Sequence, residues 1–116
     1  MKKPEKRFIQ SNTTDVETRT LDQLLIETKR LYFKNSDFQD LWFSKAPGSG
    51  KDESERDYKI IAYLYENITQ DKEKLKQIFE TSPFFKSKDY RHIRKWEQQE
   101  GRYYNYVYEQ IRRTHI

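Results

Sequence analysis

The chain has 116 residues, 34% of them apolar and 36% charged, which fits a single domain and excludes a membrane span because no apolar run approaches spanning length. Aromatic residues make up 16%, so the core has to be built from few, large side chains, and the absence of cysteine excludes a disulfide framework or a thiolate metal site. The net charge of +4 is uneven: residues 84–116 hold eight basic and four acidic groups against ten and twelve over residues 21–83, as expected of a C-terminal third that meets a polyanion.

Residues 1–19 are polar apart from Phe8, Ile9 and Val16, too little apolar surface to offset the entropy of ordering them, and they are expected to form a flexible arm ahead of one domain over 20–116. The basic residues Lys2, Lys3, Lys6 and Arg7 have no apolar stretch behind them that would make an export signal, so the expected location is the cytoplasm. A capping-box pattern at Thr20 and Gln23 opens a first helix over about 21–34, with Leu21, Leu24, Leu25, Thr28, Leu31 and Tyr32 on one face. Ser36-Asp-Phe-Gln39 repeats the pattern and starts a short second helix through Leu41-Trp42-Phe43, whose aromatics are expected to plug one end of the bundle, with Trp42 as core filler.

Lys45-Ala-Pro-Gly-Ser-Gly-Lys51 ends in a Gly-Lys pair, but a phosphate-binding loop needs a glycine where Lys45 stands and a Ser or Thr where Asp52 stands. A surface loop is expected instead. The third helix, predicted over 54–68, places Tyr58, Ile61, Ala62, Leu64, Tyr65 and Ile68 inward and leaves Glu55, Lys59 and Glu66 in water. Asp52, Glu53, Glu55 and Asp57 gather at its start, where the helix dipole favours negative charge and accounts for them without a metal. A fourth helix over about 71–81 buries Leu75, Ile78 and Phe79 and stops at Pro83. Phe84-Phe85 follows as a candidate partner contact, since adjacent aromatics rarely both bury well.

A fifth helix is predicted over about 88–99, with Tyr90, Ile93 and Trp96 inward and Lys88, Arg91, Arg94 and Lys95 on an exposed basic face. Gly101 ends it in a left-handed cap. Beyond lies Tyr103-Tyr-Asn-Tyr-Val-Tyr108, rich in β-formers yet continuing with helical spacing, so a sixth helix is predicted with Tyr103, Tyr104, Val107, Tyr108 and Ile111 inward. Arg102, Tyr106 and Arg113 then share its outer face about one turn or more apart. A tyrosine between arginines offers a stacking surface for an unpaired base and charge for the adjoining phosphates. Nucleic-acid contact is therefore assigned to Lys88, Arg91, Arg94, Lys95, Arg102, Tyr106 and Arg113. Neither His92, expected on the outer face, nor His115 sits in a ligand-spaced group, and no nucleophile constellation appears, so no catalysis, cofactor or metal is expected.

The pattern Ser54-Glu-Arg-Asp57, Ile61-Ala-Tyr-Leu-Tyr65, Asp71, Phe79, Ser82 and Lys95-Trp96 resembles the small helix-bundle domain of primase-polymerases from phages, plasmids and other mobile elements, over about residues 38–108. The chain departs from that family in having Asn67-Ile-Thr-Gln70 where glycines precede the acidic turn, and in carrying the module without its catalytic or helicase domain. The resemblance implies a non-catalytic accessory of DNA replication, holding single-stranded DNA, or RNA, for a polymerase or primase supplied in trans, with a helicase as a further partner. The fold class expected throughout is all-α, a compact bundle of five to six short helices. A second functional expectation is a mobile-element protein that binds and inhibits a host or competitor protein without touching nucleic acid, through Phe84-Phe85, Trp42 and the arm.

Overall fold

The computed structural model describes residues 17–48 and 50–115, and among these it has seven α-helices and no strand. They are α1 (Leu21–Lys34), α2 (Ser36–Trp42), α3 (Gly50–Asn67), α4 (Lys72–Glu80), α5 (Pro83–Lys86), α6 (Tyr90–Glu97) and α7 (Arg102–Thr114), with a single 3-10 turn at Gln98–Glu100. The all-α class holds, and the aromatic segment that could have been a strand is α7. Its buried stripe is Tyr104, Val107, Tyr108 and Ile111, four side chains that a two-residue period could not have placed on one face.

Local sequence signals set most boundaries. Thr20 Oγ1 accepts from the Gln23 N–H while the Gln23 side chain accepts from the Thr20 N–H, a complete capping box at the start of α1. Asn35, Asp71, Ser82 and Asp89 cap α2, α4, α5 and α6 in the same way, each accepting a backbone N–H three residues on. Pro83 ends the path of α4 but becomes the first residue of α5, where its missing N–H costs nothing.

α3 is the central element, packed against α2, α4 and α7, while α1 closes over α2 and α4, and α6 folds back on α7. Its buried face is Ile60, Ile61, Leu64, Tyr65 and Ile68, so the expected stripe is rotated: Tyr58 is exposed and Ala62 is half-buried. α3 also begins four residues earlier than predicted, taking Gly50 and Lys51 out of the expected loop. The aromatic core centres on Trp96, whose ring lies 5.2 Å from Phe79, 5.3 Å from Phe85 and 5.5 Å from Tyr104, and whose Nε1–H donates to Glu80 at 2.7 Å. Trp42 is buried beside Phe38, as core filler. Two tyrosines pin α7 to the start of α4: the Tyr104 hydroxyl donates to the Lys72 carbonyl at 2.7 Å and the Tyr108 hydroxyl to the Gln70 carbonyl at 2.6 Å. Burial drives both phenols above their ordinary pKa, so they stay protonated donors.

The folded body starts before residue 20. Arg19 donates to Glu17, Glu27 and the Ile68 carbonyl, and Lys74 donates to the Arg19 carbonyl at 2.7 Å, so residues 17–19 belong to the domain rather than to an arm. The rest of the expected arm, residues 1–16, lies outside the described residues. No helix among the described residues is long and apolar enough to cross a membrane.

Candidate nucleic-acid interface

α6 and α7 meet at an elbow whose backbone is unusual. Gln99, Glu100 and Gly101 have φ of 51°, 56° and 80°, three consecutive residues in the left-handed region where only glycine is at ease. The fold breaks one potential helix into two and brings the outer edge of α6 alongside the outer face of α7. The resulting groove, about 300 Å³, is lined by Lys95 of α6, Gln98 and Gln99 of the elbow, and Arg102, Tyr103 and Tyr106 of α7.

Its chemistry is cationic and aromatic. Tyr106 is 64% exposed, the Lys95 ammonium lies 5.4 Å from the Tyr103 ring centroid, and Arg102 donates to Gln99 Oε1 at 3.0 Å, which orients the guanidinium along the elbow. Among the described residues that line the groove there is no carboxylate. Such a surface can stack a planar ring and pair with phosphate oxygens.

Three of the seven residues expected to contact nucleic acid, Lys95, Arg102 and Tyr106, thus share one groove. Arg91 and Arg94 are exposed on α6 outside the lining, with Arg94 lying over the Tyr90 ring at 5.6 Å, and Arg113 is exposed near the far end of α7. Lys88 is a correction. Its side chain is only 3% exposed and its ammonium lies 2.7 Å from Glu53 Oε2 and 3.0 Å from Asp57 Oδ1, so it cannot reach a phosphate. The cause is that α6 starts at Tyr90, capped by Asp89, which leaves Lys88 in the preceding link and free to point inward. Tyr90, expected inside, is 72% exposed for the same reason, and His92, expected outside, faces Glu53 at 3.3 Å. The inward side of α6 is His92, Ile93 and Trp96.

Glu53 and Asp57 are likewise buried, Glu53 in the first turn of α3 where the helix dipole favours negative charge. They extend the inward stripe of α3 by one and two turns, a spacing visible in the sequence that calls for a buried cation, and Lys88 is that cation. Glu53 also accepts the Gly48 N–H, and Asp57 Oδ2 accepts from Tyr103 at 3.0 Å. Among the described residues no three His, Cys, Asp or Glu side chains converge as metal ligands, and the Lys88 ammonium stands between the two carboxylates where a cation would sit.

In comparisons with protein families, characterised proteins and solved structures, nothing matches this chain, and its candidate site rests on its own geometry.

As candidate partner contacts, Phe84 and Phe85 part company. Phe84 is wholly buried and is core, a correction that follows from its place in α5 against Phe79, while Phe85 is half-buried between Phe79 and Trp96. The exposed aromatics lie elsewhere. Phe33 is 69% and Phe43 51% exposed, and their rings flank Tyr32 at 5.1 and 4.9 Å. Sequence reasoning missed Gln98, Gln99 and Tyr103 in the groove: Gly101 signals a break, but nothing local signals that two residues before it turn left-handed.

Proposed function

We propose that this chain is a non-catalytic accessory of DNA replication that holds single-stranded nucleic acid for a polymerase or primase supplied in trans. The observation that carries this reading is the elbow groove, where Lys95 and Arg102 bracket Tyr106 with no carboxylate among them. An unpaired base stacks on Tyr106 while its flanking phosphates meet the two cations, and Arg91 and Arg94 extend the cationic track along α6. Duplex DNA suits the groove less well, because its bases are already stacked and offer no free ring face.

The test is anisotropy of a labelled oligo(dT) titrated with protein at two salt concentrations. With about four cations engaged, the affinity should fall with a log–log salt slope of about −3. Lys95→Ala with Arg102→Ala should flatten that slope by about 1.4, to about half its value, and weaken all sequences alike. No binding even at about 50 mM salt, where phosphate contacts are strongest, overturns the reading.

A second reading, a mobile-element protein that binds and inhibits another protein, is favoured by the Tyr32–Phe33–Phe43 cluster, since exposed clustered aromatics are common interface anchors. Charge reversal at Arg91 and Lys95 separates the two: it abolishes nucleic-acid binding and leaves inhibition through the aromatics intact.

A further inference from the structure

Tyr90 is the most exposed large apolar side chain among the described residues, at 72%, and Tyr106 in the groove is the next most exposed tyrosine, at 64%. Lone exposed aromatics are ordinary on protein surfaces, so it is the placement of this pair that calls for a reason. Successive residues of α6 turn by about 100°, which puts Arg94 about 40°, Arg91 about 100° and Lys95 about 140° around the helix from Tyr90. Tyr90 and Lys95 therefore bound the exposed face of α6, with the two arginines between them. Lys95 is also the residue through which α6 enters the groove, beside Tyr106. The two tyrosines stand at opposite ends of one cationic strip.

We propose that Tyr90 is a second base-stacking platform, so that one unpaired strand bridges from Tyr106 across Lys95, Arg91 and Arg94 to Tyr90. The proposal rests on the groove reading above and adds the length of strand that the surface takes. From Lys95 to Tyr90 the path combines a rise of ~7.5 Å with a sweep of about 140° at the helix surface, about 15–20 Å in all. At ~3.4 Å per stacked nucleotide this is the reach of about five nucleotides, beyond the one stacked on Tyr106.

Arg94 prepares Tyr90 for this role. Its guanidinium lies over one face of the ring, 5.6 Å from the centroid, which orients the side chain and leaves the opposite face for a base. The same guanidinium is then at hand for the phosphate next to that base. A tyrosine with only a packing role would turn inward with His92, Ile93 and Trp96, and Tyr90 does not. Two carboxylates lie near this end of the strip, and neither stands between Tyr90 and Lys95. Asp89 accepts the His92 N–H as the cap of α6, and Glu97 is almost two turns along the helix from Tyr90, on the side away from Arg91. Stacking tolerates any base, so two such platforms select an unpaired strand of sufficient length without choosing its sequence.

The experiment measures the affinity of a ten-nucleotide oligo(dT) by anisotropy at two salt concentrations, with folding of each variant checked by circular dichroism. Tyr90→Ala should weaken binding about tenfold and leave the salt slope unchanged, whereas Arg94→Ala should lower the slope by about 0.7. Tyr90→Trp should bind within about twofold of wild type, and the bound strand should quench the emission of the introduced indole, a signal that a structural role would not give. Tyr90→Leu is apolar but has no planar face, and it should behave like Tyr90→Ala. A three-nucleotide oligo(dT), followed by NMR through the Tyr106 ring, is too short to reach Tyr90, and for it Tyr90→Ala should match wild type. Wild-type affinity of Tyr90→Ala or Tyr90→Leu for the longer strand, alongside weakening by Tyr106→Ala, overturns the second platform and leaves the groove reading standing. An absence of wild-type binding even at the lower salt sinks the groove reading, and the second platform with it.

Discussion

The Lys88 ammonium lies 2.7 Å from Glu53 Oε2, and both side chains are 3% exposed. This pair ties the link before α6 to the first turns of α3, and so fixes the rotation of α6 and the position of Lys95 in the groove. Replacing Lys88 by Met fills similar volume but leaves two buried carboxylates without a cation, at a cost of about 3–5 kcal/mol. Urea unfolding at pH 7 should show that loss. A change below about 1 kcal/mol would mean that water already pays for the pair.

Tyr106 and Tyr108 stand two residues apart and should behave in opposite ways. Tyr106 is exposed in the groove, so Tyr106→Ala should weaken single-strand binding by about 1–3 kcal/mol, hold Tm within a degree or two and leave the salt slope alone. Tyr108 is buried against Tyr104 and Tyr65, with its hydroxyl on the Gln70 carbonyl, and Tyr108→Ala should cost about 3–5 kcal/mol of stability. Should Tyr106→Ala unfold the protein instead, the groove assignment fails.

The left-handed elbow can be read by thermal melts. A Cβ at Gly101 would meet only the flexible end of Lys76 at 3.8 Å, so the cost of Gly101→Ala is conformational, about 1–2 kcal/mol, from φ of 80°. Glu100 already bears that strain at φ of 56°. Glu100→Gly should therefore raise stability, by up to about 1 kcal/mol after the extra unfolded-state entropy of glycine is offset. Equal melting temperatures for wild type and Glu100→Gly would show that the strain is relieved in solution.

Glu17 makes the acid limb predictable. The Arg19 guanidinium beside it, with Thr69 also donating, holds its carboxyl down from 4.5 to about 2. A depressed folded pKa means stability that is fully present above the unfolded value and is lost as pH falls through the folded one, here between about pH 4.5 and 2. Arg19 is 38% exposed, and solvent screening brings the contribution to about 1–2 kcal/mol. Glu17→Gln should lose that amount at pH 7 and flatten the stability profile over the acid window, measured by urea unfolding at each pH. A variant with the wild-type acid limb would show that the pair does not titrate with folding.

The start of α1 was legible because its cap is local: Thr20 satisfies the Gln23 N–H and a window of four residues contains the whole signal, whereas α2 is capped by Asn35 rather than Ser36, α3 starts at Gly50, and α5, capped by Ser82, was not expected. The stripe of α7 was legible too, since a helix of 13 residues repeats its period often enough to fix which side is apolar. α6 has only 8 residues, and two turns do not determine a rotation when Tyr90, His92 and Ile93 compete for the inside. A charge in another helix, Glu53, drew in Lys88 and His92 and turned Tyr90 out to solvent.

By itself, then, the sequence determined an all-α chain, the cap at Thr20, and a basic, tyrosine-rich outer face with Lys95, Arg102 and Tyr106 on it, because each of these depends on contacts within about one helical turn. Tertiary structure alone decided that Lys88 is a buried counter-ion rather than a phosphate contact, that the elbow runs left-handed through Gln99 and Glu100, and that Tyr103 lines both the cationic groove and the space that holds Glu53, Asp57 and Lys88. The first and the last of these rest on pairings across more than 30 residues, Glu53 with Lys88 and Asp57 with Tyr103. The cost of burying an unpaired charge selects such pairings, and that cost exists only once the helices have packed.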